Sequence, residues 1–438
     1  MMRETCGEPV HNRRLIRASG VIDAAGVSAA PAVLLIEDGR LCAVGTPSEI
    51  GEVPDAFVED HRESLIMPGL VNVHAHLDLS GQGLWPPAGD DFRGWVGQVR
   101  QLRAESTPEG IKKAVCRGIQ LSLAGGTTCI GDVAGHPPAV SIEALRASPL
   151  RGISFIECFG LGSGQPAAID RMHQLLAGCA AESDGIQVGV SPHAPYSCGS
   201  DLFTAAAATG RPLMTHLAET PGEVELLQHG TGPLRSMLEH DIGVWDASTP
   251  IAGMHPVEYA IGPLAQCRGV ATHLNWIEPR HIDMLANTTI QVAYCPRAST
   301  AFGHGPPTLA LHPWQALRAA GVPIGLGTDS LLCLDTPDRI SVLDEMRLLA
   351  MRDTIDPMTL LEMATIDGAR VLDLDPSLTR VGPAAAGLIA CPALAGDPIA
   401  MLRDVLGRTE PPSWILHPAD RIGLRTVPNT RSCHDGQP

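Results

Sequence analysis

The chain has 438 residues, 44% apolar and 18% charged, which is enough for a large core and argues against a disordered polypeptide. Its net charge is −17 with no Lys/Arg block, so a phosphate backbone or an anionic membrane is repelled, and neither nucleic acid nor membrane is an expected partner. Twelve cysteines lie between Cys6 and Cys433 without a CxxC pair, and neither a signal core nor a run of about 18 apolar residues is present, so the expectation is a soluble cytoplasmic protein with reduced thiols.

Residues 1–65 hold short alternating segments, such as Ala32–Glu37 and Arg40–Val44, between Gly and Asp turns. Between residues 66 and 375, eight apolar runs alternate with helical patterns. They are Gly69–His76, Gly126–Val133, Gly152–Phe159, Ile186–Ser191, Pro212–Leu217, Gly269–Leu274, Ile290–Cys295 and Pro323–Asp329. The intervening segment Ile169–Cys179 places Met172, Leu175, Leu176 and Cys179 at helical spacing. Another, Pro313–Ala320, is closed by Gly321 and Pro323. Eight such alternations predict an α/β fold, a (β/α)₈ TIM barrel. An open doubly wound sheet is the rival, but no glycine-rich phosphate fingerprint follows the first run. Residues 376–438 are rich in Pro and Gly, with short runs at Gly387–Cys391 and Trp414–Leu416. They are expected to join residues 1–65 in a small β-sandwich beside the barrel, with a loose tail from Val427.

The chemistry concentrates at the ends of these runs. Val71-Asn72-Val73-His74-Ala75-His76 closes the first, and residues i and i+2 of a strand face the same side, so both imidazoles enter the barrel mouth together. Thr215-His216-Leu217-Ala218-Glu219 closes the fifth run, Thr272-His273 the sixth, and Gly327-Thr328-Asp329-Ser330 the eighth. Taken singly, His216 also reads as a core histidine, Asp329 as a helix cap, and Glu219 as a cap for a helix from Pro221. Barrel sites lie at strand C-terminal ends, so together these groups converge on one mouth. Three histidines and one aspartate around an open position suit a catalytic metal.

The set HAH, HLAE, TH and GTDS resembles the amidohydrolase superfamily, in its cytosine-deaminase and chlorohydrolase-like branch, over nearly the whole chain. The resemblance implies one divalent metal, Zn²⁺ or Fe²⁺, held by His74, His76, His216 and Asp329. It implies that Glu219 shuttles protons and that His273 orients water or substrate. Binuclear relatives bridge two metals through a fourth-strand lysine; here the only lysines are Lys112 and Lys113, in a helical stretch, which predicts one metal. The expected reaction is attack by a metal-activated hydroxide, with Asp329 accepting the water's proton.

Ser191-Pro192-His193-Ala194-Pro195-Tyr196-Ser197 resembles a substrate-contacting segment of nucleoside deaminases, so His193 and Tyr196 are expected to touch substrate, as are Ser330 and Arg297. The stretches around Asn72–Ser80, Phe92–Val96, Tyr294–Arg297 and Phe302–His304 are similar to aminodeoxyfutalosine deaminases. Leu331-Leu332-Cys333-Leu334 after the eighth run, and Ala386-Gly387-Leu388 in the C-terminal flank, depart from the wider branch. The expected substrate is therefore a small molecule bearing adenine. Adenosylhomocysteine, methylthioadenosine, guanine, cytosine or a triazine are the alternatives, and a non-catalytic binding protein on a decayed barrel is the remote one. Relatives of this kind are often dimers, so the resemblance admits a homodimer.

Overall fold

The computed structural model describes residues 13–89, 91–179, 185–304 and 312–422; the tail expected from Val427 lies outside the described residues. The N-terminal flank supplies five strands, β1 (Arg13–Ile22), β2 (Ser28–Ala29), β3 (Ala32–Glu37), β4 (Arg40–Gly45) and β5 (Phe57–Pro68). Eight strands follow at the places the apolar runs predict, with slightly shifted ends. They are β6 (Leu70–Ala75), β7 (Thr127–Ala134), β8 (Arg151–Cys158), β9 (Ile186–Pro192), β10 (Met214–Leu217), β11 (Val270–His273), β12 (Gln291–Tyr294) and β13 (Ile324–Leu326). The C-terminal flank adds β14 (Leu388–Pro392) and β15 (Ser413–Leu416).

β6 to β13 are parallel and form the (β/α)₈ barrel as two four-stranded halves, β6–β9 and β10–β13. β6 and β7 are buried at every residue, as strands covered on both faces must be. The halves meet at two thin seams. One is the bridge between Val190 and Leu213; the other joins Ala75 to Asp329. At the second seam the Thr328 and Asp329 amides donate to the His74 carbonyl at 2.9 and 3.0 Å. Helices cover the outside: Pro108–Ala124, for example, packs Ile111, Val115 and Ile119 with Leu77 and Ile130.

The flanks meet in one seven-stranded sheet, because β5 pairs parallel with β1 and antiparallel with β14. β5 runs through the expected boundary at residue 65 and hands the chain to β6 at Gly69, whose amide donates to the Gly387 carbonyl at 2.9 Å. Among the described residues no helix is long and apolar enough to cross a membrane.

Close approach of strands fixes some side chains at hydrogen. Gly152 in β8 has φ +138°, and a Cβ there would lie 1.9 Å from the Ile130 carbonyl oxygen. Gly152→Ala is therefore expected to destabilise the fold by about 3 kcal/mol, from overpacking and backbone strain together. Denaturant titration checks this, and a loss below about 1 kcal/mol would show that β7 and β8 separate at little cost.

Candidate metal centre and active site

His74 lies on β6, and His76 follows its last residue; His216 lies on β10, His273 ends β11, and Asp329 follows β13. All five are buried. Ligand atoms of His74, His76 and Asp329 lie within 4.8 Å of one another, as do those of His74, His216 and His273. His76 Nε2 and His216 Nε2 are 3.2 Å apart. Two nitrogens sharing a tetrahedral cation at ~2.05 Å would be separated by about 3.3 Å, so the spacing fits a metal edge.

Hydrogen bonding leaves the right atoms free. His216 Nδ1 faces the His193 carbonyl at 2.8 Å, which fixes its proton there and leaves Nε2 as a lone pair. His74 Nδ1 contacts Met214 Sδ at 3.2 Å, while His74 Nε2 is buried without a hydrogen-bond partner. An orphaned buried nitrogen costs stability unless something occupies it, and a cation accepts that lone pair. Burial, reinforced by neighbouring imidazoles, holds His74, His76 and His273 well below the usual histidine range. It lowers His216 to about 4. Neutral imidazole is the ligating form. Asp329 Oδ1 is 3.8 Å from His76 Nε2, yet with that imidazole neutral the contact is no ion pair. Burial raises Asp329 to about 7; a divalent cation beside it favours the carboxylate. The residues present therefore fit one divalent metal.

Local backbone explains the aim of these groups. Ala218, His273 and Asp329 all have positive φ, at 50°, 75° and 58°. Such conformations cost about 1–3 kcal/mol each for non-glycine residues and concentrate at functional sites. Asn72 explains the polar residue of the first motif. Its amide donates to Thr328 Oγ1 at 2.7 Å and accepts from the Thr328 amide at 3.2 Å, tying β6 to the start of the Asp329 turn. Gly327 must lack a side chain, since a Cβ would sit 2.9 Å from both His74 Cβ and Cys295 Sγ.

Glu219 is not a helix cap. The helix Pro221–His229 is capped by Thr220, and the Glu219 amide donates to Glu223 Oε2 at 2.9 Å, which leaves the Glu219 carboxylate to the cavity. Its Oε1 is 3.5 Å from His273 Nε2. Burial, with the charges of Asp329 and Glu223 adding to it, pushes Glu219 well above the usual carboxylate range. His273 is held from behind, where His312 Nε2 donates to its carbonyl at 2.6 Å. His312 in turn stacks on Tyr294 at 3.8 Å.

A cavity of about 640 Å³ opens over this cluster, lined among others by His76, His193, Tyr196, His216, Glu219 and Asp329. His193 and Tyr196, expected from the sequence to touch substrate, both line this cavity. The helix Phe92–Glu105 gives Trp95, Val96 and Val99 to the cavity wall. Two expected substrate contacts are corrected. Arg297 is buried and fully engaged: Nε donates to Glu345 Oε1 at 2.6 Å, Nη1 to Asp335 at 2.9 Å and Nη2 to the Ser341 carbonyl at 3.1 Å. It fastens the loop after β12 to the helix Val342–Arg352 and does not line the cavity. Ser330 is fully buried with its hydroxyl 3.4 Å from Cys333 Sγ, and it does not line the cavity either.

Sequence reading missed three charged groups on this side of the barrel. Arg103 Nη1 donates to Glu157 Oε2 at 2.6 Å, and its Nε donates to Asp78 Oδ2 at 3.0 Å. One signal for Glu157 was available, an acidic residue at the C-terminal end of an otherwise apolar strand. Arg103 carries no such signal.

Comparison with known proteins agrees with this geometry. The model of the amidohydrolase family matches residues 65–391. The chain is 27% identical to the 5'-deoxyadenosine deaminase of Methanothermobacter thermautotrophicus, over 94% of this chain and 91% of that one. It is also 27% identical to the aminodeoxyfutalosine deaminase of Deinococcus radiodurans, over 82% and 85% of the two chains. The fold superposes on Helicobacter pylori aminofutalosine deaminase in complex with methylthio-coformycin with a TM-score of 0.74, at 17% identity, covering 92% of this chain and 99% of that one. With a family match across most of its length, and with strand-end histidines and an aspartate gathered at one barrel mouth, this chain belongs to the amidohydrolase family, and it is an enzyme.

Proposed function

We propose that the enzyme hydrolytically deaminates the adenine ring of a nucleoside, with aminodeoxyfutalosine first among substrates, giving a futalosine-type product and ammonia. The observation that carries this reading is Glu219, a buried carboxylate on the cavity wall, 3.5 Å from His273 Nε2 and beside the ligand cluster. The deaminases named among the relatives support it. One divalent metal, Zn²⁺ or Fe²⁺, held by His74, His76, His216 and Asp329, supplies when bound a water of lowered pKa. Asp329 takes the proton of that water. Glu219 gives its proton to a ring nitrogen, which makes the neighbouring carbon electrophilic, then takes up the proton of the newly added hydroxyl and passes it to the departing amine, so that ammonia leaves neutral; the proton held by Asp329 restores Glu219 for the next cycle. His273 orients the attacking water against the ring, and His193 and Tyr196 face the base. The ten described cysteines are all free, which accords with a reducing cytoplasm.

Arg100 supports a carboxylate-bearing 5′ substituent such as that of aminodeoxyfutalosine. Of the two arginines lining the cavity, Arg103 is committed to Asp78 and Glu157, whereas Arg100 has no hydrogen-bond or ion-pair partner among the described residues. This favours a place in menaquinone biosynthesis. The apolar wall of Val99, Met237 and Leu238 favours a second reading, a neutral 5′ end as in 5′-deoxyadenosine or methylthioadenosine. Arg100→Ala separates the two. On the first reading it lowers kcat/KM for aminodeoxyfutalosine about five- to tenfold relative to 5′-deoxyadenosine. An unchanged ratio would refute it. The parent reading is tested by the adenine-to-hypoxanthine spectral change on metal-replete protein, with adenosine, methylthioadenosine and adenosylhomocysteine in parallel. Absence of change with every adenine nucleoside would sink it.

A further inference from the structure

Glu157 is the penultimate residue of β8, a charged side chain after an apolar run, and only 2% exposed. One oxygen, Oε2, is pinned by Arg103 at 2.6 Å. The other, Oε1, is buried without a hydrogen-bond partner, although Glu157 lines the cavity. Arg103 cannot turn to serve it, because Asp78 holds its Nε at 3.0 Å. Burial raises Glu157 above the usual carboxylate range against the opposing pull of Arg103, and its unserved oxygen is a fixed, oriented hydrogen-bonding position. Leaving such an acceptor empty in a buried wall is unfavourable, and hydrogen bonds to ionised acceptors are the strong ones.

The position also matters. A carboxylate oxygen of Glu157 and ring nitrogens of His193 and His216 all lie within 4.8 Å of one another. His193 Nε2 is 3.9 Å from Oε1 and is kept from swinging away by Ser197 Oγ, 2.7 Å from its Nδ1. Glu157, His193 and His216 therefore border one part of the cavity wall, next to the ligand cluster. An anionic group is repelled there. A neutral hydrogen-bond donor is what the site lacks.

We infer that Glu157 is the specificity determinant for the sugar, its Oε1 accepting a hydrogen bond from a ribose hydroxyl, so that the enzyme takes ribonucleosides in preference to free bases and deoxygenated analogues. This rests on the deaminase reading above and deepens it. Asp78 and Arg103 are positioning residues, acting through Glu157.

The test compares adenosine with 2′,3′-dideoxyadenosine on the full-length, metal-loaded enzyme. Wild-type kcat/KM is expected to favour adenosine by a factor on the order of 30 or more, the loss typical of leaving a charged acceptor unpaired. In Glu157→Gln, which keeps shape and removes the charge, the ratio falls to about fivefold or less, and in Glu157→Asp, which withdraws the acceptor, it falls likewise. Metal content stays at the wild-type value in both. A wild-type ratio near one overturns the assignment even if neither variant folds. A high ratio that survives in a folded variant also overturns it. If the wild-type enzyme deaminates no adenine nucleoside at all, the deaminase reading fails and takes this one with it. Equal turnover of both nucleosides removes the role of Glu157 and leaves deamination standing.

Discussion

Glu219→Gln is expected to lower kcat by about 10³ while metal content and fold stay as in the wild-type enzyme. Glutamine keeps the shape of the side chain and the backbone contacts of its neighbours, since the anchor to Glu223 runs through the Glu219 amide and not its carboxyl. What it loses is the exchangeable proton. Burial and the nearby charges of Asp329 and Glu223 hold Glu219 well above the usual carboxylate range, which favours the protonated form that an acid catalyst must supply. An amide can donate a hydrogen bond to a ring nitrogen but cannot transfer a proton to it. Substrate affinity should therefore survive where turnover does not. Single-turnover kinetics with metal analysis on the same sample is the measurement; activity within tenfold of wild type would sink the acid–base role.

His216→Ala should strip the metal. It removes the nitrogen that stands 3.2 Å from His76 Nε2 and the one ligand whose far side is locked by a carbonyl, at His193. A metal bound by the wild-type protein would stabilise it by about 4 kcal/mol when free metal stands at a thousand times Kd. The expected result is a wild-type Tm that drops on chelation and a variant Tm that does not respond, alongside metal content well below one per chain. A variant that still carries one tightly held metal would exclude His216 as a ligand. Stability responds here independently of turnover, so the assignment does not depend on knowing the substrate.

Most of the ligand cluster was legible because strand geometry is simple. Alternation alone puts His74 and His76 on one side, and the rule that barrel chemistry sits at strand ends gathers His216, His273 and Asp329 beside them. The barrel itself was legible for the same reason, since strands covered on both faces must be short apolar runs. What escaped depends on partners far away in the chain. Arg297 follows a family-like motif and reads as a substrate contact, but Glu345, 48 residues later, takes it. Glu157 gains its meaning only when Arg103 and Asp78 fold against it. The left-handed backbone of His273 and Asp329 carries only a weak residue-type signal, because His and Asp are enriched at positive φ but adopt it in a small minority of cases. Tyr294 supports the His273 turn through His312 rather than facing the cavity.

The two seams of the barrel give the metal ligands an architectural meaning. His74 and His76 belong to the half built from β6 to β9, whereas His216 and Asp329 belong to the half built from β10 to β13. Each seam has one β-bridge with a few hydrogen bonds around it, in place of the longer ladders within each half, such as that of β7 with β8. A cation bound by all four residues would be a rivet through both half-barrels. Loss of the ion then does more than silence the chemistry, because it takes away a fastening between two independently laddered pieces. Catalysis and the closing of the cylinder would thus be selected together, and a substitution that weakens either seam would reach the active site without touching a ligand.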